Sequence, residues 1–331
     1  MFKFELPVSY GGFEEKPLLT IRSFRKGFDE EVYVSIYNAA FGDYDDIRSM
    51  TLEEMEKVEK SPTFDVDGFF IAEWNGETAG MVHAYVDKFR EERKGFIQSL
   101  GVLPKFRQKG IARKLVRKAI DSLKQRGMKT AEAWAQSDRE GCEHLYESFG
   151  FRQARVISMM KRGLTNVPYN VGENREAKIR SMKMVDEEDI KLLNKLDNET
   201  FKEHFNFRPR TIEETKYTLF EMPWFAVQKW FFALLNQQPV GFCGVAIDDG
   251  LNKEKNLKWG LIADIGVLKS YRRTGIGACL MLHMMQTLKS LGMEDALLYV
   301  DDMNPTGAIK LYEKLGFKTA TKNIIYQLPL A

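Results

Sequence analysis

The order of hydrophobic and polar positions along the chain predicts an α/β protein with a mixed sheet. Apolar residues that alternate or run together predict strands, and apolar residues three or four positions apart predict helices. Hairpins supply antiparallel strand pairs, whereas a helical crossover requires a parallel pair. In the first half, these patterns predict strands at 18–24, 69–74, 80–85, 96–102, 130–135 and 156–160, and helices at 29–41, at 52–60 and from 111 to Gly127.

Local signals support several of these elements. Thr51 is a good N-cap, and Glu54 three residues later completes a capping box. Asn75-Gly76 between two apolar runs is a strong hairpin signal. The same order recurs in the second half, where the patterns predict helices at 186–201 and 211–220, a hairpin within 230–247 that turns near 236–237, and strands at 257–267, 297–300 and 323–328.

A repeat explains this recurrence. Residues 101–112 match residues 266–277 position by position at an offset of 165, and Leu-Tyr-Glu-Ser-Phe-Gly-Phe at 145–151 returns at 311–317 as Leu-Tyr-Glu-Lys-Leu-Gly-Phe. The chain is therefore a duplication, and its 331 residues give two units of ordinary domain size. Between them, the period is lost in a stretch rich in Gly, Pro and Asn. We expect one domain at 1–164, a linker at 165–177 and a second domain at 178–331.

The repeated stretch has the character of an anion site. An apolar strand leads into a short polar turn, and Gly275 and Gly277 then open a helix. The first N–H groups of a helix have no partner within it, and the helix dipole makes that end positive. Arg272 and Arg273 add charge just before the helix. The pattern predicts a site for a phosphate or pyrophosphate.

Composition excludes several classes of function. The formal net charge is only +2, so neither nucleic acid nor another polyanion is an expected partner. Cys142, Cys243 and Cys279 show no pairing pattern and no metal-ligand spacing, which favours buried thiols in a reducing compartment. Neither a membrane-spanning stretch nor a signal peptide is apparent. We expect a cytoplasmic protein with no membrane partner and no metal.

The pairing of two motifs identifies a family. A strand followed by Arg-x-x-Gly-x-Gly/Ala, with a later Leu-Tyr-x-x-x-Gly-Phe, resembles the GNAT superfamily of acyl-CoA-dependent N-acetyltransferases, and both halves carry both motifs in this order. Residues 201–209, Phe-Lys-Glu-His-Phe-Asn-Phe-Arg-Pro, are similar to mycothiol-synthase-like proteins of that superfamily. The resemblance implies two tandem GNAT-like domains and acetyl-CoA as the acyl donor.

The resemblance also assigns the cofactor contacts. Backbone N–H groups of the glycine turn would hold the pyrophosphate of coenzyme A, and its pantetheine arm would lie beside the preceding strand. Asn304 is a further expected contact; the first half has Asp138 there, and its charge is less suited to phosphates. The implied cofactor residues are Ile265, Val267, Arg272, Arg273, Thr274, Gly275, Ile276, Gly277 and Asn304, and in the first half Val102, Arg107, Gln108, Lys109, Gly110, Ile111 and Ala112.

By the same resemblance, Tyr312 and Tyr146 are candidates to protonate the departing thiolate, although each could equally pack its ring under the sheet. The glutamate that serves many relatives as base is replaced by Leu261 and Phe96. Asp264 lies on the same strand, where alternation predicts that it faces away from Leu261. It is either a base or a structural carboxylate.

We therefore expect an N-acetyltransferase that moves an acetyl group to a primary amine, on a small molecule or a peptide, by direct attack in a ternary complex. Glu199 and His204 are the candidate acceptor-binding residues. The chemistry is expected in the second half. One alternative is an acyl-CoA sensor or scaffold without transfer. Another is transfer of a longer acyl or aminoacyl group into a pocket of Trp224, Phe225 and Trp230, which could equally be core.

Overall fold

The computed structural model describes residues 18–139, 141–167, 177–225 and 227–330. Residues 168–176 of the predicted linker lie outside the described residues. Within the described part of the chain, no helix is both long and apolar enough to cross a membrane. The first half contains β1 (Leu19–Ser23), α1 (Glu30–Phe41), α2 (Leu52–Val58), β2 (Phe69–Trp74), β3 (Glu77–Val86), β4 (Lys94–Val102), α3 (Ile111–Gln125), β5 (Thr130–Gln136), α4 (Cys142–Glu147) and β6 (Arg152–Gly163).

The second half repeats this order and adds one helix. Its elements are β7 (Lys178–Ser181), α5 (Glu187–Phe201), α6 (Ile212–Phe220), β8 (Val227–Leu235), β9 (Gln238–Ile247), α7 (Asp249–Lys255), β10 (Trp259–Val267), α8 (Ile276–Ser290), β11 (Asp295–Asp301), α9 (Ala308–Lys314) and β12 (Lys318–Pro329). The sequence pattern missed α7 because none of its residues is buried, so it has no apolar face. Asp248 caps its first turn through the N–H of Leu251.

The local signals produce the predicted elements. Thr51 and Glu54 form a capping box at α2, and Thr211 and Glu214 form the same box at α6. Asn75 has a positive φ of 51° at the turn between β2 and β3, as a tight hairpin requires. Helix α3 buries its apolar face under the sheet. The prediction of an α/β fold with a mixed sheet is confirmed.

The described strands form one sheet in the order β1-β2-β3-β4-β5-β12-β6-β11-β10-β9-β8-β7. The two halves exchange their last strands. Strand β12 of the second half pairs with β5, and β6 of the first half pairs with β11. Each core therefore includes side chains from the other half: Leu164 packs in the second core, and Tyr326 in the first. The domain limits at 164, 165–177 and 178 stay a prediction about the sequence repeat.

The two parallel pairs are short, and this creates openings in the sheet. Strands β4 and β5 pair only from Lys94 to Ile97, and β10 and β11 pair only from Trp259 to Leu261. Beyond these residues the neighbouring strands diverge. We call the opening beyond Leu261 the β10 split. Both openings face the N-terminus of the helix that follows the first strand of the pair.

Candidate active site

The β10 split leads into a cleft of about 400 Å³, which we call the β10 cleft. Residues 262–267 of β10 form one wall, and residues 298–301 of β11 form the other. Tyr312 of α9 and the glycine turn before α8 close its remaining sides. The motif residues, which are separated by about 40 positions in the sequence, therefore meet at one place.

The geometry of the turn explains why glycine occupies positions 275 and 277. Gly275 is the N-cap of α8 and has a φ of 89°, a left-handed conformation that L side chains rarely adopt. A Cβ on Gly277 would come no closer than 3.5 Å to Leu311, which is an ordinary contact. Close packing therefore does not require glycine at position 277. Its effect is to leave the first turn of a 15-residue helix bare on the cleft side, where an anion can approach the N–H groups.

The two arginines of the loop hold it in place. The Nε of Arg272 donates to the carbonyl of Val267 at 3.0 Å, and another of its nitrogens donates to the carbonyl of Thr200 at 3.1 Å. Arg273 donates to the carbonyl of Thr306 at 3.0 Å. The guanidinium groups thus join the loop to α5 and to the segment before α9. Arg272 also pairs with the carboxylate of Glu203 at 2.9 Å, which offsets its positive charge.

The other implied cofactor residues divide into two sets. Ile265, Val267 and Asn304 line the β10 cleft together with the arginines and glycines, whereas Thr274 and Ile276 do not. Ile276 is buried in the core, and the Thr274 hydroxyl donates to the carbonyl of Tyr271. These two residues could contact coenzyme A only through their backbone groups.

Tyr312 lies in the wall of the β10 cleft and is 7% exposed. Burial, together with the smaller effect of the nearby charge of Asp264, raises the pKa of its hydroxyl to about 12. The phenol therefore keeps its proton at neutral pH and can donate it to an anion that forms beside it.

Asp264 lines the same cleft, and its orientation corrects the sequence analysis. Ile262 pairs with Val245 whereas Asp264 pairs with Gly244, so Ala263 is the extra residue of a β-bulge. The bulge shifts the alternation by one, so that Asp264 and Leu261 share a face. The prediction that Asp264 faces away from Leu261 is wrong, because alternation holds only in a regular strand.

The surroundings of Asp264 change its acidity. Burial raises the pKa of its carboxyl to about 7; the positive charge of Arg210 opposes this increase, and the negative charge of Asp197 adds to it. A nitrogen of Arg210 lies 3.6 Å from a carboxylate oxygen of Asp197. A carboxyl with a pKa near neutrality can both accept and release a proton at physiological pH.

The two candidate acceptor residues lie in different places. His204 lines the β10 cleft, and its ring packs against Phe201 with centroids 4.6 Å apart. Burial, assisted by the charge of Arg272, lowers the pKa of His204, which keeps the imidazole neutral. Glu199 does not line the cleft; its carboxylate pairs with Lys202 on the exposed side of α5 at 2.5 Å.

The first half has a corresponding β4 cleft of about 650 Å³. Arg139 joins its two walls, because it pairs with Asp43 at 2.9 Å and lies 3.9 Å from the ring centre of Tyr44. Tyr146 is 3% exposed and is not part of the lining. Asp138 lines the cleft in the position of Asn304. The predicted residues that line the cleft are Val102, Arg107, Gln108, Gly110, Ile111 and Ala112; Lys109 lies instead over the rings of Trp74 and Phe106.

A further cavity, of about 230 Å³, contains two of the three aromatic residues that the sequence suggested as a pocket for a longer acyl group. We call it the interface cavity, because both halves line it. Trp224 and Phe225 belong to its wall, whereas Trp230 is buried against Phe242 in the core. Tyr299 lines both this cavity and the β10 cleft. The aromatic residues at 224–225 were the available signal, but their position between the halves depends on the strand exchange.

Comparisons with known proteins agree with the fold and the motifs. Mycothiol acetyltransferase from Streptomyces griseus is 30% identical over 147 residues, a match that spans 43% of this chain and 46%, about half, of the relative. The mycothiol acetyltransferase of Actinosynnema mirum is 25% identical over 266 residues, which are 78% of this chain and 82% of the relative.

Solved structures show the same tandem architecture. A tandem GNAT protein from the clavulanic acid biosynthesis pathway aligns with a TM-score of 0.72 at 13% identity, covering 96% of this chain and 99% of that protein. A GCN5-related N-acetyltransferase from Sphaerobacter thermophilus aligns with a TM-score of 0.68 at 19% identity, covering 94% and 96%. At these identities, the alignments show the fold alone.

The sequence profile described as Acetyltransferase (GNAT) family matches this chain twice, at residues 33–151 and 193–317. The two matches contain the glycine turns and tyrosine motifs of both halves, so the predicted resemblance is confirmed. Because they cover well over half of the chain, this protein belongs to the acetyltransferase (GNAT) family and carries the family's domain twice.

Proposed function

We propose that this protein transfers an acetyl group from acetyl-CoA to a primary amine, by direct attack in a ternary complex, and that the second half performs the chemistry. The observation that carries the proposal is the β10 cleft, where a bare helix N-terminus, a buried phenol and a carboxyl of raised pKa converge. The relatives named mycothiol acetyltransferase support acetyl transfer as the reaction.

The residues of the β10 cleft fit coenzyme A. The N–H groups of the first turn of α8 suit a diphosphate, since Gly275 and Gly277 place no side chain in the way. Arg273 adds positive charge beside this turn, whereas the charge of Arg272 is paired with Glu203. The exposed edge of β10, from Ile265 to Val267, offers backbone groups to the amides of a pantetheine arm.

Bound acetyl-CoA would supply the acetyl group as a thioester. Asp264 would then take the proton that the acceptor ammonium must lose, because burial raises the pKa of its carboxyl and makes its carboxylate a stronger base than that of an exposed aspartate. Tyr312 would hold at its Oη the proton that the departing thiol requires. His204 stays neutral in the cleft wall and would help to orient the acceptor. Glu199 is assigned no role, since it points away from the cleft.

The first half has the glycine turn, but its tyrosine does not line the cleft. Its β4 cleft has the left-handed Gly110, with a φ of 76°, at the start of α3, but Tyr146 is buried away from it. We assign this cleft to binding of coenzyme A without transfer. The same observation leaves the sensor function as the second candidate for this half.

Paired glycine variants test these assignments. Gly275→Val should strain the left-handed turn and obstruct the anion, so that turnover is lost and calorimetry with coenzyme A finds one site fewer. The matched control is Gly110→Val, which should remove the other site and leave turnover intact. Turnover is measured as thiol release from acetyl-CoA with a panel of primary amines.

The opposite pattern, with turnover lost only in Gly110→Val, would assign the chemistry to the first half. Coenzyme A binding without thiol release from any amine in the panel would reject transfer and leave an acyl-CoA-binding protein. Faster turnover with longer acyl-CoA donors than with acetyl-CoA would replace acetyl by a longer acyl group.

A further inference from the structure

The interface cavity is the feature of this protein that the proposed function does not yet use. The first half contributes Tyr37, Asp46 and Arg48 to its wall, and the second half contributes residues from α7, β10 and β11. Its volume of about 230 Å³ is below the roughly 300–1,000 Å³ of pockets for drug-sized ligands. The cavity therefore suits a small molecule better than a peptide.

Its position connects it to the β10 cleft. Leu261 and Leu297 are the last paired residues before the β10 split, and both line the interface cavity. Tyr299, two residues further along β11, lines both cavities. The interface cavity therefore lies against the same split of the sheet, and a small molecule in it adjoins the β10 cleft.

The charges around the cavity are not balanced. Arg48 pairs with both Glu54 and Asp248, so that two carboxylates share one guanidinium. Asp46 accepts hydrogen bonds from the amide of Gln136 at 2.9 Å and from the hydroxyl of Tyr299 at 3.0 Å. Among the described residues, no Lys, Arg or His forms an ion pair with Asp46. A cationic ligand would supply the missing positive charge.

The rest of the wall is apolar. Trp224, Phe225 and Trp259 present aromatic surface, and Leu261 and Leu297 present aliphatic surface. A ligand rich in hydroxyl groups would leave these groups without partners against such a wall, which costs free energy. The wall matches a hydrocarbon or aromatic body.

The corresponding residues in the other copy of the domain bind one another differently. Asn206 occupies the position of Asp46 at an offset of 160. Its amide donates to Glu132 at 2.7 Å, and its oxygen accepts from Lys94 at 2.7 Å. Trp134, the counterpart of Tyr299, also donates to Glu132. The neutral Asn206 of the second half is thus bound by charged groups of the first half, whereas the negatively charged Asp46 has only neutral hydrogen-bond donors among the residues that the structure describes and lines a cavity.

We propose that the interface cavity is the acceptor site and that it takes a small primary amine with an aromatic or aliphatic body. Its ammonium group binds Asp46 of the first half before the amine passes Tyr299 into the β10 cleft, where Asp264 takes its proton. The assignment as acceptor site rests on the proposed function; the binding of such an amine does not. The first half is then part of the site at which the second half works.

The test compares two amines of similar shape. At pH 7, benzylamine is a cation and aniline is neutral. Asp46→Asn should raise the KM for benzylamine at least tenfold and change that for aniline less than twofold. The control is Asp45→Asn, which removes the same charge from an exposed position in the same loop and should change neither KM. Binding is followed separately by quenching of tryptophan fluorescence, because Trp224 and Trp259 line the cavity.

Other outcomes would overturn the inference. It fails if Asp46→Asn affects both amines equally or neither, or if the polar amine glucosamine is a better substrate than benzylamine. Quenching by benzylamine that Asp46→Asn abolishes, without thiol release, would retain the binding site and reject the proposed function. The absence of both quenching and turnover with benzylamine would reject the site itself.

Discussion

Each half of the protein extends the loop after its first helix onto the other half, and one arginine holds each loop. Arg48 pairs with Glu54 of its own half and with Asp248 of the other at 2.8 Å. At an offset of 160, Arg208 pairs with Glu214 of its own half and with Asp87 of the other. The two triads are counterparts, but only the Arg48 triad lies at the interface cavity. They form a matched pair for mutation.

The cost of removing either arginine follows from its burial. The side chains of Arg48, Glu54 and Asp248 are 10%, 15% and 16% exposed, and those of Arg208, Glu214 and Asp87 are 14%, 10% and 6% exposed. An alanine would leave two carboxylates close together without a cation. Breaking a buried pair from one side costs about 3–5 kcal/mol. At roughly 2 °C per kcal/mol for a chain of this size, the melting temperature should fall by about 6–10 °C.

The two arginine variants should have similar effects on stability but different effects on activity. Arg48→Ala and Arg208→Ala should lose similar stability in thermal and urea unfolding, but only Arg48→Ala should change the KM for benzylamine, since Arg48 lines the cavity. Replacing Arg48, Glu54 and Asp248 together with Met, Gln and Asn should recover most of the stability, because no unpaired charge remains. Unchanged stability in Arg48→Ala, or an equal change of KM in both single variants, would refute the reasoning.

Three further outcomes are expected. Tyr312→Phe should lower kcat by about 100-fold with unchanged affinity for coenzyme A, as a lost general acid does, whereas Tyr146→Phe should leave kcat unaltered in stopped-flow assays. Because burial raises the pKa of Asp264 to about 7, its carboxylate forms as the pH rises through 7. The value of kcat/KM with the neutral acceptor aniline should therefore rise up to that pH and then stay constant. Asp264→Asn should have a low kcat/KM that does not change with pH. Tyr326 belongs to the last strand of the chain but packs in the core of the first half. Tyr326→Ala should therefore destabilise that core by about 3–5 kcal/mol, which limited proteolysis should detect as new cleavage between residues 18 and 163.

Features encoded by neighbouring residues could be predicted from the sequence. The capping box of Thr51 and Glu54 and the turn at Asn75-Gly76 each involve a few consecutive positions, so composition and spacing suffice. The glycine turn at Gly275 belongs to the same class, and its repetition in the chain supports a function beyond packing. These signals were enough to identify the family.

Features that depend on pairing between distant segments could not be predicted. The bulge at Ala263 arises from the way β10 pairs with β9, and it reverses the side on which Asp264 was expected. The exchange of β6 and β12 is decided by which partner each strand finds in the sheet. The interface cavity depends on the strand exchange, which brings Met159 into its wall, and the spacing of hydrophobic residues along the chain contains no information about strand partners.

The strand exchange also bears on the proposed division of labour, in which the second half performs the chemistry and the first half supports it. Because β6 pairs with β11, Met159 of the first half lies opposite Tyr299, next to the β10 split. Met159 and Asp46 both line the interface cavity, so part of its wall comes from the first half. A second half on its own would lack this wall and would expose β11 as an edge strand. On the proposed assignment, the two copies together supply one complete acceptor site, whereas Asn206 of the second half fills the corresponding place against the first half.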